Sequence, residues 1–380
     1  MDFCLSALIV LPIATTVVEV HFVKFYRPIL QYLVARRTVL ATFTLLIGVV
    51  LFLLLLTTSG NSEVKLSRVY VSPLLSTAPK LITDIPDQRS VDSYYGLGAW
   101  VDSFDADPAY ARSAPTVHPA DVADMDEYGV RTLFLQASRD NDRSGMLISD
   151  PWILTNFLLS SHQYGLNVIA WYLPKWVGDE DLERLVALHE FEVLGHRFDG
   201  LAVDIEWTGG DLSHEERSSR LLELSARLEV IVGDDPLGAI VMPPVLTDEI
   251  NLDFWPEFPW ERIRPHFDVW LPMSYWSFRT EEHADPLYYS GESIRLLRSN
   301  LKSPNALVHG IGGVGSTDGT YLPNPGEPMA SINDLEGFTT SLKETGSIGG
   351  SIYDWATTGR HARRQLNALF ISVFPDLEAN

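Results

Sequence analysis

The sequence predicts an α/β protein, a (β/α)8 or TIM barrel preceded by an N-terminal transmembrane anchor. From residue 96 onward, eight short apolar segments alternate with eight helical patterns over about 285 residues, which is the rhythm of a barrel of parallel strands. Upstream of them, residues 39–57 form a long apolar run. An open doubly wound sheet is the alternative for the alternating part. Even spacing without a domain break favours the closed barrel.

Residues 1–58 are predicted to anchor the chain in a membrane. The run at 39–57 reads VLATFTLLIGVVLFLLLLT and carries no charge. At about 1.5 Å per residue it spans roughly 28 Å, close to the hydrocarbon core of a bilayer. A second apolar run at 3–18 is a less secure candidate for another span. A cleaved signal peptide is the alternative, but the length of the stretch favours an anchor.

Basic residues predict the orientation of this anchor. Four of them lie between the two apolar runs: Lys24, Arg27, Arg36 and Arg37. Because cytoplasmic loops are enriched in Lys and Arg, the segment between the runs should be cytoplasmic and everything after residue 57 extracytoplasmic. The sequence therefore predicts a protein of the cell membrane whose barrel lies outside the cytoplasm and whose anchor contacts the lipid bilayer.

Charge and cysteine content restrict the partners of the exported part. The chain has 28 Lys+Arg and 50 Asp+Glu; residues 1–60 hold four basic and two acidic residues, which leaves 24 against 48. Nucleic acid is a poor partner for such an acidic surface. The only cysteine, Cys4, lies in the first apolar run, so the exported part has no disulfide scaffold. Residues 59–92 have mixed polarity with scattered Pro and Ser, as expected of a linker, and residues 93–380 are predicted to form the catalytic barrel.

The predicted strands are short, apolar and rich in β-branched or aromatic residues, as strands buried on both faces should be. They read GLGAWVD (96–102), RTLFLQAS (131–138), NVIAWYL (167–173), GLAVDIEW (200–207), AIVMPPVL (239–246), DVWLPMSY (268–275), ALVHGIG (306–312) and GGSIYDW (349–355). Helical patterns separate them, the longest being GDEDLERLVALHEFEVLGH (178–196) and SHEERSSRLLELSARLEVIVG (213–233). Several helical patterns end in Gly, an expected stop signal.

The fourth predicted strand carries two acidic residues inside an apolar segment, DGLAVDIEW (199–207). Successive side chains of a strand point to opposite faces, so Asp204 and Glu206 share one face with Ala202, opposite the aliphatic residues. The two carboxylates are about 6–7 Å apart along the chain. Their proximity disfavours ionisation of both, so one can stay protonated near neutral pH. This arrangement predicts the general acid of a glycosidase.

Barrel enzymes work at the C-terminal ends of their strands, where this sequence carries polar and aromatic residues. They are Trp100, Asp102, Gln136, Tyr172, Asp204, Glu206, Tyr275, Trp276, Asp354 and Trp355, with Trp176 and Trp207 at or just beyond strand ends. Five of the ten tryptophans thus gather at one rim, where aromatic faces suit the C–H faces of sugar rings. Tryptophans that simply cap the barrel core are the alternative.

At these residues the sequence resembles glycoside hydrolase family 18, the chitinase-like (β/α)8 barrels. The family's signature on the fourth strand is D-G-x-D-x-D-x-E. Asp199, Gly200, Asp204 and Glu206 fall on it, and Ala202 replaces the middle Asp.

Two further motifs carry the resemblance. The family's M-x-Y-D signature on the sixth strand meets Met273 and Tyr275, with Trp276 in place of the Asp. The Gly-Gly-…-Trp ending of the last strand resembles residues 349–355.

The resemblance implies a role for each matching residue. Glu206 would be the general acid, and Asp204 would orient the substrate's N-acetyl group, which itself serves as the nucleophile. Tyr275 would hydrogen-bond that group, and Trp355 would form the floor under the sugar. Retention of configuration follows from this mechanism. In a more distant barrel family, Asp102 or Asp354 would supply the second carboxylate instead.

The sequence thus predicts a membrane-anchored glycosidase that acts on an N-acetylhexosamine-containing polysaccharide or glycan, without a metal or cofactor. Its predicted catalytic residues are Glu206, Asp204 and Tyr275. The predicted substrate-binding residues are Trp100, Asp102, Gln136, Tyr172, Trp207, Met273, Trp276, Asp354 and Trp355. A carbohydrate-binding barrel without turnover is the main alternative. A structural protein of the cell wall would not explain carboxylates that face a barrel interior.

Other patterns point to no additional chemistry. GIGGVG (310–315) matches G-x-G-x-x-G, but the residues after it cannot open a helix, so the segment is predicted to be a loop over the rim rather than a dinucleotide site. His189 and His196 lack metal-ligand spacing, and no G-x-S-x-G elbow offers a serine nucleophile.

Overall fold

The computed structural model describes residues 89–375 apart from 112–113, 142, 144–145 and 315–329. Within these residues, eight parallel strands close into a barrel in chain order. They are β1 (Gly96–Val101), β2 (Thr132–Gln136), β3 (Asn167–Tyr172), β4 (Gly200–Ile205), β5 (Leu237–Val241), β6 (Val269–Ser274), β7 (Leu307–Val314) and β8 (Gly349–Tyr353). Strand β1 closes the ring by pairing with β8, Gly98 opposite Ser351, and with β2, Trp100 opposite Phe134. The predicted (β/α)8 barrel is confirmed.

Helices connect the strands on the outside of the barrel. The described helices are α1 (Ser103–Ala106), α2 (Val122–Glu127), α3 (Pro151–Gln163), α4 (Asp179–His189), α5 (His214–Val232), α6 (Trp260–Ile263), α7 (Pro286–Asn300), α8 (Asp334–Thr345) and α9 (Arg360–Val373). Local chemistry sets several of their ends. Helix α5, for example, begins at a capping box in which the Ser213 hydroxyl accepts from the Glu216 N–H and the Glu216 carboxylate accepts from the Ser213 N–H.

Two predicted elements end earlier than the sequence suggested. The helix expected over 178–196 stops at His189, and a small antiparallel hairpin of Glu192–Val193 with His196–Arg197 follows it. The fifth strand stops at Val241, because the two prolines that follow cannot donate ladder hydrogen bonds.

Residues 310–314 of the glycine-rich GIGGVG segment are part of β7, which extends two residues beyond the strand predicted over 306–312. Its glycines allow close packing. A Cβ on Gly312 would collide with the Trp276 ring and lie 2.8 Å from Phe338, and a Cβ on Gly310 would lie 2.6 Å from Leu342. The prediction of a loop over the rim was therefore wrong for residues 310–314, where the small volume of glycine serves packing within a strand.

The core divides into two layers separated by the barrel wall. Alternate residues of each strand pack outward against the helices and form a large outer cluster, which includes Val203 and Ile205. The others point into the barrel and, together with Tyr94 and Ile348, which precede strands, form what we call the lumen cluster. Its buried members are Tyr94, Trp100, Phe134, Ile169, Trp171, Ala202, Ile240, Val269, Leu271, Met273, Ile311 and Ile348.

The segment before β1 closes the lower end of the barrel. Tyr94 is completely buried, and its hydroxyl donates to the Leu201 carbonyl at 2.6 Å. Arg89 lies in the range assigned to the linker, but it packs against the barrel and donates to the Phe198 carbonyl at 2.6 Å and to Asp235 at 2.7 Å. The chain is therefore fixed to the barrel several residues before the first strand.

Among the described residues, no helix combines the length and apolar character that crossing a bilayer requires. The predicted anchor at 1–58, including the run at 39–57, lies outside the described residues.

Candidate active site

The carboxylates of β4 lie on the lumen side of the barrel wall. Asp204 is 6% exposed, and its Oδ1 atom has no hydrogen-bond partner among the described residues. Glu206 follows the end of the strand on the same face and is half-buried. Within the described part of the chain, neither residue forms an ion pair. Burying such a group without a partner costs about 1–3 kcal/mol, so the fold tolerates an unfavourable arrangement here.

Burial makes this pair hold protons more tightly than ordinary carboxyl groups. It raises the pKa of Asp204 well above its usual value, and the neighbouring charge of Glu206 raises it further. Burial also raises the pKa of Glu206. Two interacting acids titrate as a pair, and this pair is suited to keep one proton at higher pH than an exposed carboxyl could. That is the property a general acid needs.

Tyr275 faces the same carboxylates from the end of β6. The strand ends at Ser274, and Tyr275 begins the short 3-10 turn Trp276–Phe278. Burial raises the pKa of Tyr275 well above its usual value, and the charges of Glu206 and Asp204 add to the shift. The Tyr275 hydroxyl therefore stays protonated and can donate a hydrogen bond.

A tyrosine–aspartate pair stands on the wall formed by β8 and β1. The Tyr353 hydroxyl donates to Oδ2 of Asp102 at 2.8 Å, and the rings of Tyr353 and Tyr275 are 5.9 Å apart. Oδ1 of Asp102 accepts from the Phe104 N–H at 2.7 Å and so caps α1. Tyr353 was not among the residues predicted from sequence, although it shares a strand face with Ser351 in the segment GGSIYDW.

Three acidic residues lie together beside this pair. Asp102, Asp105 and Asp354 each offer a carboxylate oxygen within 4.8 Å of the others. Burial, followed by the charges of Asp354 and Asp102, raises the pKa of Asp105 to about 8. The spacing would admit a cation, but Asp354 already accepts from Thr357 and Asp105 from Thr116. A proton on Asp105 relieves the repulsion, so we assign no metal to this cluster.

The floor of the lumen is aromatic and internally hydrogen-bonded. Trp100 stacks on Phe134 at 4.4 Å, and its indole N–H donates to the Ser351 hydroxyl at 2.7 Å. Ser351 is 3.0 Å from Nε2 of His309, whose Nδ1 is 2.8 Å from the Tyr94 carbonyl. Because a carbonyl only accepts, Nδ1 carries the proton and Nε2 accepts from Ser351. Burial lowers the pKa of His309 to about 4, so the ring is neutral.

The remaining predicted residues divide between the lumen and the outer cluster. Met273 belongs to the lumen cluster, and Gln136 is buried with its side-chain oxygen accepting from the Ser103 N–H at 3.0 Å. Five aromatic residues instead pack with or against the outer cluster: Tyr172, Trp176, Trp207, Trp276 and Trp355. Of the five rim tryptophans, only Trp100 faces the lumen.

The outward orientation of these aromatics has local causes. Tyr172 and Trp171 are both aromatic, and strand alternation turns Trp171 inward while the Tyr172 hydroxyl donates to Asp181 at 2.6 Å. Trp276 lies past the end of its strand, and its indole donates to Asp334 at 3.1 Å. Trp355 likewise follows a strand end, and the guanidinium of Arg363 lies 3.5 Å from its ring centroid. Trp355 therefore faces away from the lumen and does not form a floor under a sugar bound there.

Comparison with known proteins gives the fold a context. No family model and no curated protein sequence matches the chain. Among solved structures, the endo-1,4-beta-mannanase of Rhizomucor miehei is 9% identical with a TM-score of 0.53, covering 73% of this chain and 94% of that chain. The spore cortex-lytic enzyme SleL of Bacillus megaterium is 11% identical with a TM-score of 0.50, covering 76% and 75%. The class V chitinase of Nicotiana tobaccum is 12% identical with a TM-score of 0.50, covering 73% and 99%.

At these identities the similarity concerns the fold. It places the chain structurally among barrels that include a chitinase, a mannanase and a cortex-lytic enzyme. The resemblance to chitinase-like barrels noted in the sequence is therefore confirmed at the level of the fold.

Proposed function

We propose that this protein is a glycoside hydrolase in which Glu206 is the general acid. The observation that carries the proposal is the pair formed by Asp204 and Glu206: two carboxyl groups on the lumen face of β4, without ion pairs among the described residues and with pKa values raised by burial. A raised pKa keeps a proton available for the leaving oxygen of a glycosidic bond. The mannanase, the cortex-lytic enzyme and the chitinase of the same fold support the class of reaction proposed here.

The substrate we propose is an N-acetylhexosamine-containing polysaccharide or glycan. In this mechanism Asp204 accepts a hydrogen bond from the amide N–H of the reacting sugar, and the Tyr275 hydroxyl donates to its carbonyl oxygen. The acetamido oxygen then attacks the anomeric carbon while the glycosidic bond breaks and Glu206 protonates the leaving oxygen. Water next attacks the anomeric carbon of the cyclic intermediate, gives a proton to the Glu206 carboxylate and restores the acetamido group, with net retention of configuration. Tyr353 and Asp102 provide further polar contacts from the other wall.

We propose further that residues 1–58 anchor the protein in the cell membrane, with the barrel outside the cytoplasm. The uncharged run at 39–57 and the four basic residues before it support this arrangement. A glycosidase held there would meet polymers of the cell surface.

The decisive experiment compares the full-length protein, purified in detergent, with Glu206→Gln. Both are incubated with chitin oligomers, peptidoglycan and deacetylated or galactosamine-containing polymers, and new reducing ends are counted. We expect Glu206→Gln to lose at least about 10³-fold in rate, within the 10²–10⁴-fold range of general acid catalysis. Glu344→Gln is the matched control, because Glu344 is an exposed carboxylate near the end of α8, away from the lumen. Equal release by Glu206→Gln and wild type would remove Glu206 from the mechanism.

A carbohydrate-binding barrel without turnover is the second candidate. Ala202 favours it, because the residue that replaces the middle acid of the family signature carries no polar atom. Binding of an oligosaccharide without release of reducing ends, unchanged by Glu206→Gln, would identify this function instead.

A further inference from the structure

Two buried polar atoms of the lumen have no hydrogen-bond partner in the described part of the protein. One is Oδ1 of Asp204, and the other is Nε1 of Trp171, the indole donor. Trp171 is 5% exposed and Asp204 is 6% exposed, so bulk water reaches neither side chain freely. Because buried polar groups are nearly always paired in folded proteins, these two atoms are available for hydrogen bonds to a group bound in the lumen.

The two orphan groups belong to adjacent strands. Trp171 on β3 is directly opposite Ala202 on β4, and Asp204 is the next residue of β4 on the same face. The methyl group of Ala202 has no polar atom and can satisfy neither neighbour. One stretch of wall therefore presents a free donor and a free acceptor to the lumen.

The other buried indole of the lumen does have a hydrogen-bond partner. The other lumen indole, Trp100, donates to Ser351 at 2.7 Å, and the chain of bonds continues through His309 to the backbone. Trp171 packs edge-on against Trp100, with ring centroids 5.9 Å apart and planes at 63°. The Trp171 ring is thus held by packing while its N–H remains available.

We propose that Trp171 is a substrate-binding residue, whose indole N–H donates a hydrogen bond to an oxygen of the sugar bound beside Asp204. A donor next to an acceptor fits an N-acetylhexosamine ring, which offers hydroxyl and carbonyl oxygens as acceptors and an amide N–H as donor. This inference rests on the proposed function, because it takes the bound group to be the sugar of the substrate. The contact comes from β3. The motifs that carry the family resemblance lie on β4, β6 and β8 and do not include it.

The test is Trp171→Phe in the full-length protein, which keeps an aromatic ring and removes the donor. With N-acetylhexosamine tetramers of the gluco and galacto series, we expect KM to rise about fivefold to tenfold, the range of one neutral hydrogen bond. We expect kcat to change less than threefold, because the contact is made before and during the reaction. Trp152→Phe is the matched control, since Trp152 is 74% exposed at the start of α3, and it should leave KM within twofold of wild type.

A second measurement keeps the inference testable should Trp171→Phe fold poorly. In Glu206→Gln labelled with 15N-tryptophan, the indole proton of Trp171 should move downfield when a tetramer binds. Hydrolysis by Trp171→Phe with unchanged KM, or an unmoved indole proton in a saturated complex, would overturn the role of Trp171 and leave the proposed function intact. Absence of both binding and hydrolysis in the wild type would overturn the proposed function, and this inference with it.

Discussion

Arg89 offers a sharp test of how the barrel is held together at its lower end. Its side chain is 4% exposed. It donates to the Phe198 carbonyl at 2.6 Å, to the His189 carbonyl at 2.9 Å and to Asp235 at 2.7 Å. Arg89→Ala would leave two carbonyls and one carboxylate without this partner at once.

The expected loss in the free energy of unfolding depends on the groups that Arg89→Ala leaves without a partner. Removing one partner of a buried ion pair typically destabilises a protein by about 3–5 kcal/mol. Asp235 is 21% exposed and keeps a hydrogen bond from His189 at 2.9 Å, so we expect the lower end, about 3 kcal/mol. At about 2 °C per kcal/mol for a large domain, the melting temperature should fall by about 6 °C.

The assay is urea unfolding of the full-length protein at pH 7.5, followed by tryptophan fluorescence. Arg295→Ala is the control, because Arg295 is 55% exposed and pairs with Glu292 on the surface of α7; a pair of this kind contributes less than about 0.5 kcal/mol. A loss below 1 kcal/mol for Arg89→Ala would refute the reasoning. By the same logic, a fragment that starts at Ser93 should be less stable than one that starts at Ala78.

The same ion pair predicts a pH dependence. Burial opposes ionisation of Asp235, but hydrogen bonds from His189 and Arg89 outweigh it and lower the pKa of this carboxyl. A lowered pKa in the folded state stabilises the protein above the unfolded value of about 3.9 and loses that effect as the pH falls. The difference between wild type and Arg89→Ala should therefore be full at pH 7 and shrink below about pH 4.

Two further substitutions test the acidic cluster around Asp105 and the packing of β7 at Gly312. Asp105, with its pKa raised to about 8 by burial and by Asp354 and Asp102, should weaken the fold as the pH rises from about 4 to 8. Asp105→Asn should flatten that decline by about 1 kcal/mol per pH unit, and parallel pH curves for the two proteins in denaturant titrations would contradict this. Gly312→Ala should cost about 1–3 kcal/mol, because the added Cβ would collide with Trp276. In the control Gly291→Ala, inside α7, the added Cβ would lie 3.1 Å from the flexible end of Arg295 and in ordinary contact with Ser341 at 3.7 Å. This change should be neutral or stabilising by up to about 1 kcal/mol; similar melting temperatures for both variants would argue against this packing.

Much of the fold was predictable because its signals are local. Short apolar runs alternating with helical patterns predicted the eight strands, and the acidic residues of β4 fixed which of its faces points inward. A charged side chain is less costly at the rim of the lumen than in the packed layer under the helices. The residue types of β4 therefore predicted which of its side chains point into the lumen.

The phase of β3 could not be assigned in that way. Trp171 and Tyr172 are both aromatic, and both faces of the strand are buried, so composition does not distinguish them. The sequence prediction chose Tyr172, whereas the structure turns Trp171 toward the lumen. Only the register against Ala202 and Gln136 determines which of the two faces inward.

Strand ends were the other source of error. Alternation continued from Tyr353 would place Trp355 in the lumen, but the strand stops at Tyr353. Asp354 then accepts from the Thr357 N–H at 2.9 Å, which turns the chain, and Trp355 packs outward. Trp276 differs, because strand alternation alone places it on the outward side with Trp270, opposite Met273. Tertiary hydrogen bonds of this kind have no signature in the spacing of apolar residues.

Because buried Tyr94 closes the lower end of the barrel, the lumen is open only at the other end, where the strands have their C-termini. A sugar chain cannot pass through a lumen that is closed at one end, so incoming polymer and departing fragments must use the same opening. If the protein turns over as proposed, its products should compete directly with its substrate. Fragments released early would then slow the reaction long before the polymer is consumed, and continuous removal of products should keep it linear.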